Sequence, residues 1–321
     1  LRIIMTNTLV KFSNPLITRD GDQRAFVEFN GFKTLWFNTG TLCNIACSNC
    51  YIESSPKNDR LVYLSFADVV EFLDELEELS GKNCEIGFTG GEPFLNPDFL
   101  KMLEECQRRD LSIMVLTNAM KPLQNKIDGL LQLKKVFGAK KIVFRVSIDH
   151  YNKDLHEVER GVGTWDPMIK GLKWLRDNKY TINVAGRSLS QESDNDCREG
   201  YKTLFDELGL QLDAYNPSEL VIFPEMDITV DVPEITTNCW EILSVRPETQ
   251  MCASSRMVVK RKGQKRPIVV SCTLLPYERD HCSQSGAGQG HCNNALFLPA
   301  RCAAQQTAGS WPACDYFVVA I

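Results

Sequence analysis

Short stretches in which apolar residues alternate or run together take turns with longer stretches in which apolar residues recur every three or four positions. The first pattern is that of β-strands and the second that of amphipathic helices. Residues 6–33 read as a small β preamble: Thr8 to Phe12, Leu16 to Thr18, a turn at Arg19-Asp20-Gly21-Asp22, then Ala25 to Phe29. Lys33 to Gly40 is a half-buried strand. Ser65 with Asp68 three residues on marks a helix start, and Val69, Phe72, Leu73, Leu76 and Leu79 follow at helical spacing. Further strands are predicted at Cys84–Phe88, Ser112–Thr117, Lys141–Asp149, Thr181–Arg187 and Glu219–Pro224. Between them the spacing predicts helices over Asp98–Arg109, about Leu123 to Val136, Pro167–Asn178 and Tyr201–Leu208.

This rhythm is that of an α/β protein, in which repeated right-handed β-α units close a parallel sheet into a barrel or part of one. Functional side chains then gather at the C-terminal ends of the strands. Beyond Pro233 the rhythm stops, and Met257–Gly263 with Pro267–Val270 reads as a hairpin. Four regions are expected: a β preamble at 1–32, the barrel at 33–232, a small extension at 233–277 and an irregular tail at 278–321. The tail, with Ser283-Gln-Ser-Gly-Ala-Gly-Gln-Gly290 and isolated cysteines, keeps neither period. Low complexity, a metal-binding tail and a shifted reading frame are its three readings, the last preferred.

At 321 residues the chain has room for one barrel-sized domain and a smaller addition. A formal charge of −5 gives no electrostatic footprint for nucleic acid, so no nucleic-acid partner is expected. No stretch has the length of a membrane span. The 13 cysteines could suggest secreted disulfides. However, Leu1-Arg-Ile-Ile-Met5 does not lead a basic segment into an apolar run, so clustered thiols and a cytoplasmic location are expected. Leu1 is also expected not to be the native start.

Three of those thiols, Cys43, Cys47 and Cys50, fall within eight residues after the first barrel strand. A four-iron cube takes four ligands, and three thiolates leave one iron open to a small molecule. A zinc knot is the competing reading, but Cys84 and Cys106 lack paired spacing as a fourth ligand. After the second strand comes Phe88-Thr89-Gly90-Gly91-Glu92-Pro93.

The C-x-x-x-C-x-x-C loop followed by GGE-P resembles the radical S-adenosylmethionine (SAM) superfamily. The resemblance implies a partial (β/α)6 TIM-like barrel with a small C-terminal cysteine-containing extension, a 4Fe-4S cluster on Cys43, Cys47 and Cys50, and SAM on its open iron. SAM cleavage would give a 5′-deoxyadenosyl radical. Gly90 and Gly91 would bring bare backbone to the methionine moiety, with Pro93 completing the turn, and Glu92 would accept from its ammonium group. Asn118, Ser147 and Asp149 would hold other parts of SAM, and Arg187 its carboxylate, with a structural hydrogen bond as the rival reading at each; Phe223-Pro224 could face adenine, with core packing as the stronger rival. Asn49 stands where the family often has an aromatic residue.

His156 to Trp165 resembles an H-x-x-x-R-G-x-G-T-[FW] stretch of peptide-modifying members, read first as helix capping and second as substrate contact. Cys239, Cys252 and Cys272 about the hairpin resemble SPASM or twitch extensions, which carry an auxiliary iron-sulfur cluster. A flavodoxin- or ferredoxin-type electron donor and a peptide substrate follow by the same resemblance. A small-molecule substrate and a non-catalytic iron-sulfur or zinc sensor are the alternatives.

Overall fold

The computed structural model describes residues 11–277 except 12, 15, 81–82, 139–140, 189–191, 225–230 and 232, together with 300–301. Strand β1 (Phe26–Val27) follows a turn that the Ile17–Gln23 bridge closes. The expected strand at Thr8–Phe12 and almost all of the tail lie outside the described residues. Six parallel strands then follow in chain order: β2 (Thr34–Asn38), β3 (Glu85–Thr89), β4 (Ile113–Thr117), β5 (Ile142–Ser147), β6 (Thr181–Arg187) and β7 (Leu220–Phe223).

The intervening helices are α1 (Phe66–Ser80), α2 (Phe99–Arg108), α3 (Lys121–Gln124), α4 (Ile127–Phe137), α5 (Lys153–Arg160), α6 (Trp165–Asp177) and α7 (Asp194–Leu208). Helix α1 opens on the expected reciprocal cap: Asp68 N donates to Ser65 Oγ at 3.2 Å and Ser65 N to Asp68 Oδ2 at 2.8 Å. Three expectations need correction. One helix over 123–136 is instead two, because the turn opened at Pro122 ends at Asn125. Helix α7 starts at Asp194 rather than Tyr201, since Ser193 Oγ caps Asp196 N at 3.1 Å. Helix α5 was not expected at all: Leu155 and Val158 face outward, while its buried positions are His156 and Glu159, so no apolar period exists to be read.

Past α8 (Cys239–Ile242), β8 (Ser255–Val259) pairs in parallel with the free edge of β2, with Leu35 opposite Arg256 and Phe37 opposite Val258. Strand β9 (Ile268–Val270) returns antiparallel to β8, which realises the expected hairpin as a continuation of the barrel sheet. Strand β10 (Ala300–Arg301) pairs with β1.

Alternation along the strands sorts two apolar cores. The face under the helices buries Phe37, Phe88, Phe99 and Phe144, with the Phe37 and Phe88 rings 5.7 Å apart. Truncating one such ring to alanine costs about 3–5 kcal/mol. The concave face carries Trp36, Met114, Met257 and Val259. The indole of Trp36 lies flat over Gly87, where any Cβ would overlap it. Among the described residues no helix is long and apolar enough to cross a membrane.

Candidate functional site

At the C-terminal ends of the parallel strands lies a cavity of about 200 Å³. Cys43, Cys47 and Cys50 line it together with Gly90, Gly91, Asn118, Ser147, Asp149 and Arg187. Residues separated by more than a hundred positions therefore meet where the fold predicts chemistry.

The cysteine loop leaves β2 and is tied at its base, with Thr41 N donating to Leu61 O at 3.0 Å and Cys43 N to Ser55 O at 3.1 Å. The glycine pair holds it from the side. Gly91 N donates to Gly40 O at 2.7 Å and Glu92 N to Leu42 O at 3.1 Å. A Cβ at Gly91 would overlap the Leu42 carbonyl, and Gly90 sits at φ +135, where side chains are strained. Bare backbone is thus needed first against the cysteine loop itself.

Glu92 is placed differently from expectation. Its carboxylate is 1% exposed and does not line the cavity. It accepts from Thr117 Oγ1 at 2.9 Å, Asn118 N at 2.9 Å and Phe94 N at 3.3 Å, tying the end of β3 to the end of β4. Burial raises its pKa to about 7 against the opposing effect of those donors. Pro93 is buried beside it, at the start of a short 3-10 turn. Asn118, held in place by this arrangement, donates from Nδ2 to Asn44 Oδ1 at 2.9 Å within the cysteine loop.

Opposite stands a charged group. Asp149 Oδ2 lies 3.0 Å from Arg160 Nε and 3.7 Å from Arg187 Nε, and Arg187 Nη2 donates to Asn49 O at 2.8 Å. Arg160 was not singled out as a site residue by the sequence, yet the end of α5 delivers it into the cavity. The same helix end grips the loop: Ser48 N donates to Glu159 O at 2.8 Å and Asn49 Nδ2 to Glu159 Oε2 at 2.9 Å. The expected capping of the following helix takes another form: Gly161 ends α5 at φ +103, and Thr164 stands at the start of α6 without a side-chain cap bond, its Oγ1 donating instead to Gly161 O at 2.7 Å.

The donor set suits a cationic iron centre. Burial pushes the Cys43 thiol up to about 12 and raises Cys47, which Arg160 partly offsets. Among the described residues no three Cys, His, Asp or Glu side chains converge on one ion position. A cube would put a separate iron at each thiolate.

Of the three cysteines expected to hold a second cluster, Cys272 lies close enough for its charge to raise the Cys252 thiol further, and both act on Arg256. Cys239 is set apart with Ala25 and Ile235, its Sγ accepting from Thr236 N at 3.4 Å. The extension also reaches the main cavity, whose wall includes Met251, Thr273 and Leu274. Arg145 and Trp36 line it too, and for Arg145 a signal existed: it shares the two-residue period of Ser147 and Asp149.

A sequence profile of the Radical SAM superfamily matches residues 37–197, just over half of the chain. The antilisterial bacteriocin subtilosin biosynthesis protein AlbA of Bacillus subtilis is 31% identical over 144 residues, which is 44% of this chain and 30% of that protein. The mycofactocin maturase MftC of Mycolicibacterium smegmatis is 24% identical over 154 residues, 46% of this chain and 37% of that one. The chain thus spans about a third of the length of these curated relatives in the matched region. Among solved structures, Streptococcus suis SuiB bound to precursor peptide SuiA superposes with a TM-score of 0.53 at 13% identity, covering 77% of this chain and 61% of that one.

Proposed function

The chain belongs to the radical SAM superfamily, and from that membership we propose that its cavity holds a 4Fe-4S cluster on Cys43, Cys47 and Cys50, with SAM beside it, for the modification of a peptide. The observation that carries this reading is the meeting of the three thiols with Gly90, Gly91, Asn118, Ser147, Asp149 and Arg187 in one cavity. When bound, cluster and SAM supply a 5′-deoxyadenosyl radical for hydrogen abstraction.

The chain's own residues position and enclose. Glu92 fixes the ends of β3 and β4 so that Asn118 reaches the cysteine loop. Arg187 and Arg160 place two guanidinium groups about Asp149 beside that loop, suited to a cofactor with both carboxylate and ammonium groups. Leu116, Phe223 and Leu274 supply apolar wall that keeps water from a reactive intermediate.

A peptide substrate is supported by AlbA, a bacteriocin biosynthesis protein, by the maturase MftC, and by the precursor peptide bound to SuiB. A flavodoxin- or ferredoxin-type donor and a cytoplasmic setting belong to the same proposal. So does a second cluster drawing on Cys239, Cys252 and Cys272, of which Cys252 and Cys272 are the neighbouring pair.

Anaerobic reconstitution tests the reading. About four irons per chain are expected at the 43–50 loop, falling to near zero in Cys43→Ala when Cys252 and Cys272 are also changed. About eight in the wild type, falling to four in Cys252→Ala/Cys272→Ala, would establish the second cluster. The reduced enzyme should release 5′-deoxyadenosine from SAM, faster when a synthetic peptide substrate is added. A protein whose iron centre is indifferent to SAM would refute the proposal.

A further inference from the structure

Deep in the barrel, below the group just described, Arg145 is 7% exposed and still lines the cavity. It stands four positions before Asp149, roughly 13 Å lower along the strand direction, and level with Leu116 and Asn183 on its neighbours. Arg160 and Arg187 share Asp149, but no carboxylate among the described residues lies within ion-pair reach of Arg145. Its Nη2 donates to Ser218 O at 3.3 Å, and its Nε has no partner there. Another buried donor that lines the same cavity, Trp36 Nε1, is also unpartnered among the described residues. Burial lowers the Arg145 pKa, and Glu85 opposes this only through its more distant charge.

A buried guanidinium with no carboxylate in ion-pair reach is costly unless an anion meets it. We propose that Arg145, assisted by Trp36, is the docking point for a carboxylate of the substrate, namely an acidic residue of the peptide. The proposal rests on the reading above and adds a substrate class to it. The depth of Arg145 keeps it apart from the carboxylate of SAM, which belongs with Arg160 and Arg187 beside the cysteine loop.

The probes are N-acetylglutamate amide, N-acetylglutamine amide and free glutarate, titrated calorimetrically into the reconstituted, SAM-loaded protein. The blocked acid should bind about tenfold more tightly than the blocked amide. In Arg145→Gln that preference should vanish, in Arg145→Lys it should persist in part, and in Trp36→Phe it should shrink. SAM affinity should stay within about twofold in all three.

Equal binding of acid and amide by the wild type, which needs no variant, would overturn the proposal; so would an undiminished preference in Arg145→Gln. A large fall in SAM affinity in that variant would assign Arg145 to the cofactor instead. Glutarate binding without binding of the blocked acid would overturn the peptide form. A wild type that prefers the acid but makes no 5′-deoxyadenosine would leave the carboxylate site standing and refute the radical chemistry.

Discussion

His156 is wholly buried, neither ring nitrogen is hydrogen-bonded among the described residues, and its ring meets Trp165 edge-on at 5.2 Å. Burial first, and then the Arg160 charge, lowers its pKa from 6.5 to about 4. The unfolded chain therefore takes up the proton before the folded one, so this group's contribution to stability is complete above 6.5 and is lost as pH falls toward 4. Acidification across that window should cost up to about 3 kcal/mol through His156. His156→Phe should flatten that part of the profile in urea unfolding at several pH values, and parallel profiles for the two proteins would show the idea to be mistaken. Glu92 has the opposite sign. With its folded pKa raised to about 7, stability falls as pH climbs from 4.5 through 7. Glu92→Gln should lose less stability than the wild type over that interval, as thermal melts would show. The importance of Glu92 was legible in the GGE-P motif, but its partners Thr117 and Asn118 were not, because strand pairing alone brings them within reach.

Helix α5 shows how an element can hold a site without an apolar stripe. Its inward positions are His156 and Glu159, chosen by contact with the barrel rim and the cysteine loop rather than by hydrophobic burial. Periodicity therefore could not find it, although the Arg160-Gly161 motif marked its end. Removing the Glu159 carboxylate should loosen the loop at Asn49. Glu159→Ala is expected to lose iron to a chelator several times faster than the wild type. Val158→Ala, on the 69% exposed outer face, should match the wild type. Equal rates for both variants would remove α5 from the support of the site. The glycine pair acts from the other side: Gly91→Ala must displace the Leu42 carbonyl and should lower iron incorporation measured against total protein.

Across the whole molecule, the six-strand order was legible because each β-α unit carries its own local period. The parallel pairing of β8 with β2 was not, since nothing local in Ser255–Val259 specifies a partner more than two hundred residues earlier. The expected extension is thereby part of the barrel sheet, and it reaches the cysteine loop again where Tyr277 Oη donates to Ile52 O at 2.5 Å. A chain cut before Ser255 should leave β2 as a bare edge and self-associate on size-exclusion chromatography, whereas one retaining residues through Tyr277 should not.

That pairing also sets an order of events during synthesis. The 43–50 loop leaves the ribosome about two hundred residues before the strand that seals its neighbour, or roughly 10–40 s at ordinary elongation rates. Throughout that interval the nascent chain offers all three thiols on an unsealed sheet, and under the proposed cluster reading this is a window in which iron delivery and oxidation would compete for the same sulfurs.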